Sequence, residues 1–423
     1  MRAGSLMTLV SLVASVAAFA ACSATPGQAF TSTNDSNGDA DAGHHSSGGG
    51  GGGTGGGGGV LLPDGGILLP DGGVISPGGD AGPILDGGAP SSRIACAGNY
   101  CRGDQTCNAG SCQFACVGTQ VPGDYASIQA AINANVGVTD LTICLKAQNY
   151  PETVSSTSAP ATPKNLTIIG VSSSVSTITS LTLEYSAFSN VAIHGVGFTG
   201  GVVLEYLTKP VQFVGSKIAS TSGYGLSAYG VADVLLDGCD VSSATNAYAV
   251  NFVAETATTY APNTQKITVQ NSYIHDSGTG IEIQVGGYNS GTTPTVLANI
   301  VNDTFNNNSS GIVTTGSVYP VTVTYANNLI VNSKSYGIDQ EATTETVVTK
   351  NNALFGNANN YAGSAVDGPG YVKADVKLDS TQNPPGLSNG SPARGAANEA
   401  MAPATDFWGV ARSSSPDIGA VQN

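Results

Sequence analysis

The chain has 423 residues, only 10% of them charged, with 57 glycines and a net charge of −15. That length holds one large domain with appendages, and the composition favours turns and strands over helices. An acidic chain without a basic cluster excludes nucleic acid as a partner, because phosphate contacts need Lys and Arg; it is compatible with a neutral or cationic partner.

At the N-terminus, Met1-Arg2 precede an apolar run from Leu6 to Ala21 that ends Phe19-Ala20-Ala21-Cys22. A basic start, a short apolar stretch and small residues before a cleavage point read as an export signal over residues 1–21. The run is short for a membrane-spanning helix. The ending Ala20-Ala21-Cys22 resembles the lipobox of bacterial lipoproteins. That resemblance implies cleavage before Cys22, acylation of Cys22, and a membrane as partner through the lipid anchor. With Ser23 next, it further implies outer-membrane or cell-surface placement after passage through the periplasm.

Residues 22–94 are low in complexity: Gly48–Gly53 and Gly55–Gly59 are pure glycine, and Pro63-Asp64-Gly65-Gly66 recurs at Pro70-Asp71-Gly72-Gly73. Such a segment buries too little apolar area to offset its ordering entropy and reads as a disordered tether. Residues 95–116 form a cysteine-rich module with Cys96, Cys101, Cys107, Cys112 and Cys116; Cys144 and Cys239 follow. In an exported chain these read as disulfides rather than zinc ligands. The expected arrangement is a two-bridge module over Cys96–Cys112 of open connectivity, a Cys116–Cys144 bridge, and Cys239 left as a buried thiol.

A short amphipathic helix follows at Ala126-Ser127-Ile128-Gln129-Ala130-Ala131-Ile132, capped by Asp124 or Ser127, with Ile128, Ala131 and Ile132 on one face. Leu141–Leu145 then reads as a strand and Asn149-Tyr150-Pro151-Glu152 as a turn. This helix, strand and Tyr-x-Glu turn resemble the start of pectin lyase-like right-handed parallel β-helix proteins. The resemblance implies an all-β solenoid over residues 117–385, its N-terminal end covered by the helix.

The repeat pattern supports stacking independently. Seven apolar anchors, Phe198, Ile218, Val241, Ile274, Phe305, Ile330 and Leu354, are spaced by 20, 23, 33, 31, 25 and 24 residues. A second set follows at Leu226, Val250, Ile281, Ile312 and Ile338. Short strands of period two with no helical period mean coil stacked upon coil. Three residues before each anchor stand Gly195, Gly215, Gly238, Asn271, Asn302, Asn327 and Asn351, which read as a turn column with a ladder of amides. Residues 386–423 carry Ser391-Pro392-Ala393, Asp406-Phe407-Trp408-Gly409-Val410-Ala411-Arg412 and Asp417-Ile418-Gly419-Ala420, and resemble the end of bacterial surface proteins of the choice-of-anchor Q type. The expectation is a C-terminal cap in which Arg394 or Arg412 pairs with Asp406 or Asp417 and Trp408 covers the last coil.

Candidate catalytic acids are Asp237, Asp240, Asp276, Glu282 and Asp339. Glu282 and Asp339 follow inward anchors and face outward on one wall, two coils or about 9–10 Å apart, with Val313 between them. Paired carboxylates serve glycoside hydrolysis. A lyase needs a base, often Arg, and frequently calcium held by clustered Asp; no Arg occurs between Arg102 and Arg394. Candidate carbohydrate-binding residues are Tyr206, Tyr229, Tyr260 and Tyr288, the last two in coil insertions; the same rings can equally be half-buried strand residues. The expected function is a monomeric, envelope-anchored β-helix lipoprotein that binds polysaccharide or another surface partner without catalysis. The alternative is a polysaccharide lyase or glycoside hydrolase acting on acidic or neutral polysaccharide. No metal ligand set and no cofactor is called for; calcium is left open.

Overall fold

Alternation along each strand decides which side chains face inward. In Thr264–Gln270, Gln265, Ile267 and Val269 are buried while Lys266, Thr268 and Gln270 are half-exposed. A computed structural model shows these strands stacked in parallel as a right-handed β-helix. It describes residues 60–61, 67–68, 74–75 and 94–423, apart from 97–98, 136, 157–164, 186–187, 257–260, 287–291, 317–318 and 343–344. All of these fall within one unit, Gly57–Asn423. The signal segment, Cys22, Tyr260 and Tyr288 lie outside the described residues.

The first sheet has ten strands, from Thr119–Val121 to Glu345–Lys350. The other two faces merge into one sheet of 16 strands, because Thr177–Glu184 is long enough to begin both. The second face carries short strands such as Asp240–Ser242 and Tyr273–His275; the third carries longer ones such as Thr279–Val285 and Tyr336–Gln340. The register is that of the anchors: Phe198 pairs with Ile218, Ile218 with Val241, Val241 with Ile274, and so on to Leu354. Leu226, Val250, Ile281, Ile312 and Ile338 align likewise on the third face. Nine steps between ten strands make a rod of about 43 Å. The last strand in the stack is Asn359–Gly363, short of the expected limit at residue 385; beyond it Val372 makes a single bridge to Ala353.

The helix Ile128–Ala134 buries Ile128, Ala131 and Ile132, and Ser127 caps it by accepting from Ala130 N. Asp124 instead accepts from Gln120 N. The Tyr-x-Glu turn completes the cap: Glu152 takes the N–H groups of Ile128 and Gln129 at 3.0 and 3.2 Å. Tyr150 donates to the carbonyl of Val121 at 2.6 Å. Replacing Ser127 with Ala is expected to cost about 1 kcal/mol. Urea denaturation of the two proteins measures it, and identical midpoints would contradict this cap.

Disulfides join Cys96 to Cys107, Cys101 to Cys112 and Cys116 to Cys144, and Cys239 is a buried thiol. Most of residues 22–94 lie outside the described residues, apart from three short strands. Val60–Leu61, Ile67–Leu68 and Val74–Ile75 pair antiparallel into a small sheet. An apolar doublet repeats every seven residues there, separated twice by Pro-Asp-Gly-Gly, and such turn residues favour chain reversal.

The turn column has φ between 51° and 60° in every coil from Gly195 to Asn351. Only glycine, or a residue such as Asn, adopts that left-handed region cheaply. Which of the two is used follows from what lies against the turn. Phe114 of the disulfide module lies on Gly195 and Gly215, and Arg102 lies on Gly215 and Gly238, so that a Cβ at these positions would collide. Farther along, the asparagine amides hold the C-terminal segment: Asn302 Nδ2 donates to the carbonyls of Asp417 and Gly419, and Asn351 Nδ2 to that of Ala396. The C-terminal segment therefore runs along the side of the solenoid. Trp408 does not cover the last coil: it packs with Phe407 beside Tyr273, and its carbonyl accepts from Gly103 N at 2.6 Å. Nor does Arg412 bridge to an aspartate. It donates to Asn271 Oδ1 and to the carbonyls of Thr405, Gly419 and Ala420. Asp406 and Asp417 instead gather backbone N–H groups, of Trp408, Val410 and Gln422 and of Gly395 and Asn423 respectively.

Candidate functional site

On the third face, strand register lines up the outward residues Ser227, Asn251, Glu282, Val313 and Asp339, one per coil. Asn251, Glu282 and Asp339 are only 7%, 8% and 7% exposed, so this wall is recessed. The Glu282 carboxylate accepts from Thr315 Oγ1 at 3.2 Å. The Tyr248 hydroxyl also donates to Glu282; burial, reinforced by that carboxylate, pushes the phenol up to about 12. The Asp339 carboxyl is raised above the usual carboxylate range, by burial and then by the charge of Glu341. The Asn251 Oδ1 atom is buried and has no hydrogen-bond partner.

Tyrosines flank the wall in stacked sets. Tyr224 and Tyr248 lie with centroids 5.3 Å apart and planes 11° apart. Tyr185 and Tyr206 stack at 5.0 Å and 13°, and Tyr229 meets Tyr206 edge-on at 5.4 Å. Tyr185 and Tyr206 both hold left-handed backbone, φ 46° and 52°. Such a conformation in a bulky residue costs on the order of 1 kcal/mol or more and concentrates at ligand sites. Tyr224 is 45% exposed and Tyr185 42%. Glu184 and Glu205 stand in register beside them; the Glu205 carboxyl is raised by burial and then by Glu184. Burial raises the Tyr229 phenol, and its bond to the buried Glu255 raises it further.

The structure places Tyr206 and Tyr229 together and puts Glu282 and Asp339 on one wall. The other candidate acids go elsewhere. Asp240 is tied at 2.7 Å to Lys217 and at 2.9 Å to His275 Nε2, while His275 Nδ1 lies 2.7 Å from Asp276. Burial works against the His275 charge, but bonds to Asp240 and Asp276 outweigh it and raise its pKa. This is a hydrogen-bonded clasp across coils, with both ring nitrogens engaged by carboxylates and neither open to act as a base. Asp237 is half-buried beside Arg102 and accepts from Asn271 Nδ2 at 2.9 Å. Glu341 is exposed at the rim of a cavity at the solenoid's end. Asn251, Glu184, Glu205 and Tyr185 were missed from the sequence, although the step Val250 to Ile281 would have placed Asn251 beside Glu282. Among the described residues, the one close trio of potential metal ligands is Cys96, Cys101 and Cys112, all held in disulfides. No helix among the described residues is long and apolar enough to cross a membrane.

Over residues 164–360 the chain is similar to the family described as the right handed beta helix region. No curated protein and no solved structure matches it.

Proposed function

We propose that this protein is an exported, lipid-anchored β-helix whose third face binds a neutral glycan at the cell surface without cleaving it. A right-handed β-helix fits a surface or polysaccharide-related protein. Three disulfides fit an oxidising compartment, and Cys22 supplies the anchor. The reading rests chiefly on the exposed, stacked tyrosines beside a recessed row of carboxylates, hydroxyls and an amide. Aromatic faces stack on sugar rings, and acceptors take their hydroxyl protons. The outward columns that hold Asn251, Glu282 and Asp339, and Glu184, Glu205 and Tyr229, contain no Lys or Arg. Uronate polymers would meet like charge there, which narrows the ligand to neutral glycans. Affinity electrophoresis in neutral and uronate polysaccharides is the test. A neutral polymer is expected to retard the protein, and Tyr224→Ala to weaken retardation by about tenfold, roughly one stacked ring. Retardation by uronates alone, or an unaffected Tyr224→Ala protein, would sink the reading.

One geometric feature favours a second reading, an inverting glycoside hydrolase. Burial and the charge of Glu341 raise the Asp339 carboxyl, and Glu282 accepts from Thr315 Oγ1. Their separation of about 9–10 Å lies at the edge of the range for an acid and a water-activating base.

A further inference from the structure

Three inward columns of the solenoid turn polar in its last coils. One inward column runs Leu204, Ala228, Phe252 and Ile283, then changes to Thr314 and Gln340. Another runs Gln265, Val296 and Val321, then reaches Glu345. A third runs Val269 and Ile300, then changes to Tyr325. These polar groups converge beside a cavity of about 660 Å³ that opens at the C-terminal end of the stack, lined by Tyr325, Gln340, Glu341, Glu345 and the apolar Ile338 and Val347. Tyr325 is 1% exposed and Thr314 fully buried. The Tyr325 hydroxyl, Thr314 Oγ1 and both Glu345 oxygens are buried and make no hydrogen bond of ordinary geometry, although Gln340 and Thr314 lie close to Tyr325 and Thr314 also lies close to Glu345. Buried polar atoms are rarely left unmatched, and a group of them at the mouth of a cavity calls for an occupant.

We propose that this lumen end binds a small primary ammonium ion, its N–H groups on Glu345, Tyr325 and Thr314 and its alkyl body against Ile338 and Val347. The charge follows from the lining: two carboxylates, Glu341 and Glu345, and no basic side chain. A bare metal ion fits poorly, because the cavity is far larger than an ion and most of its wall area is apolar. An alkylammonium uses both features, since charge-assisted bonds hold its head and the walls desolvate its tail. The site is independent of the glycan reading. Burial raises the Glu345 carboxyl above its usual range, so binding strengthens as pH rises and the competing proton leaves.

The test is calorimetric titration of the full chain with n-butylammonium chloride, and with 1-butanol as its neutral counterpart. Saturable binding at millimolar concentration or better is expected, with butanol at least about tenfold weaker. Glu345→Gln should weaken the ammonium by a similar factor while keeping or raising the melting temperature. Tyr325→Phe should weaken it several-fold and serves if Glu345→Gln fails to fold. No saturable binding, equal binding of butanol, or undiminished binding by both variants would mean that water alone fills the cavity and would overturn the proposal.

Discussion

Replacing Arg102 with methionine is expected to lower stability by about 3–5 kcal/mol, the range for stripping one partner from a buried ionic cluster. Arg102 is 7% exposed, yet it holds three parts of the chain together. Its Nη1 donates to the Phe407 carbonyl at 2.6 Å, its Nε to Asp104 at 3.1 Å, its stem lies on the turn glycine Gly215 and its guanidinium on Gly238. Burial works against the charge, but Asp104 and Asp237 outweigh it, so the guanidinium stays protonated. Methionine fills similar volume but leaves half-buried Asp237 without its cation and Phe407 O without this donor. The disulfide module and the C-terminal segment should loosen together. Urea denaturation gives the energy, and limited proteolysis within residues 386–423 reports the release. A loss below about 1 kcal/mol, the scale of a surface pair, would mean that the contact is ornamental.

The second large effect has the opposite sign. Replacing Asp303 with asparagine is expected to stabilise the protein at neutral pH by about 1–3 kcal/mol, the cost of an unsatisfied buried polar group. One residue after the left-handed turn, a buried ladder runs between coils. Asn328 Oδ1 accepts from Asp303 N at 3.0 Å, and Asn352 Oδ1 from Asn328 N at 2.9 Å. Each amide also donates backward, Asn328 Nδ2 to Ile300 O at 2.7 Å and Asn352 Nδ2 to Tyr325 O at 2.8 Å. Asp303 occupies the preceding rung and accepts from Ser272 N at 2.7 Å, but its Oδ2 has no partner. By the repeat that oxygen faces the Val269 carbonyl, to which a carboxylate cannot donate. Burial, and then the charge of Asp237, holds the carboxyl well above the usual range. A raised folded pKa means that this contribution is fully present below the unfolded value of about 4 and is lost as pH rises through the folded value. The gap between Asp303→Asn and the native protein should therefore be small near pH 4 and widen upward. Urea midpoints across a pH series measure it; a gap that does not change with pH, or a destabilised variant, would refute the rung.

The stack was legible because an inward apolar residue is obligatory in every coil. Six anchor pairings follow from Phe198 to Leu354 even though coil lengths vary from 20 to 33 residues. The second ladder was not legible, because Ser272, Asp303, Asn328 and Asn352 share a role but not a residue type. Nor was the change from glycine to asparagine in the turn column. Its cause is docking by segments remote in sequence, such as Arg102 and Phe407, 305 residues apart.

Within the site, strand parity placed Glu282 and Asp339 on one wall. Asp237, Asp240 and Asp276 lie away from that wall. A left-handed turn at Gly238 sends Asp237 and Asp240 to different faces, and His275 then binds Asp240 to Asp276 across coils. The polar lumen around Tyr325 and Glu345 escaped notice because parity says that a residue points inward, not what the cavity beyond it contains.

The most direct measurement incubates the full chain with neutral and uronate polysaccharides, with and without calcium, and follows both retention on each polymer and release of reducing ends or unsaturated products. Retention on a neutral polymer with no product is the predicted result. Product that disappears on changing Asp339 to Asn, or Glu282 to Gln, would contradict the non-catalytic claim and make the recessed wall an active site.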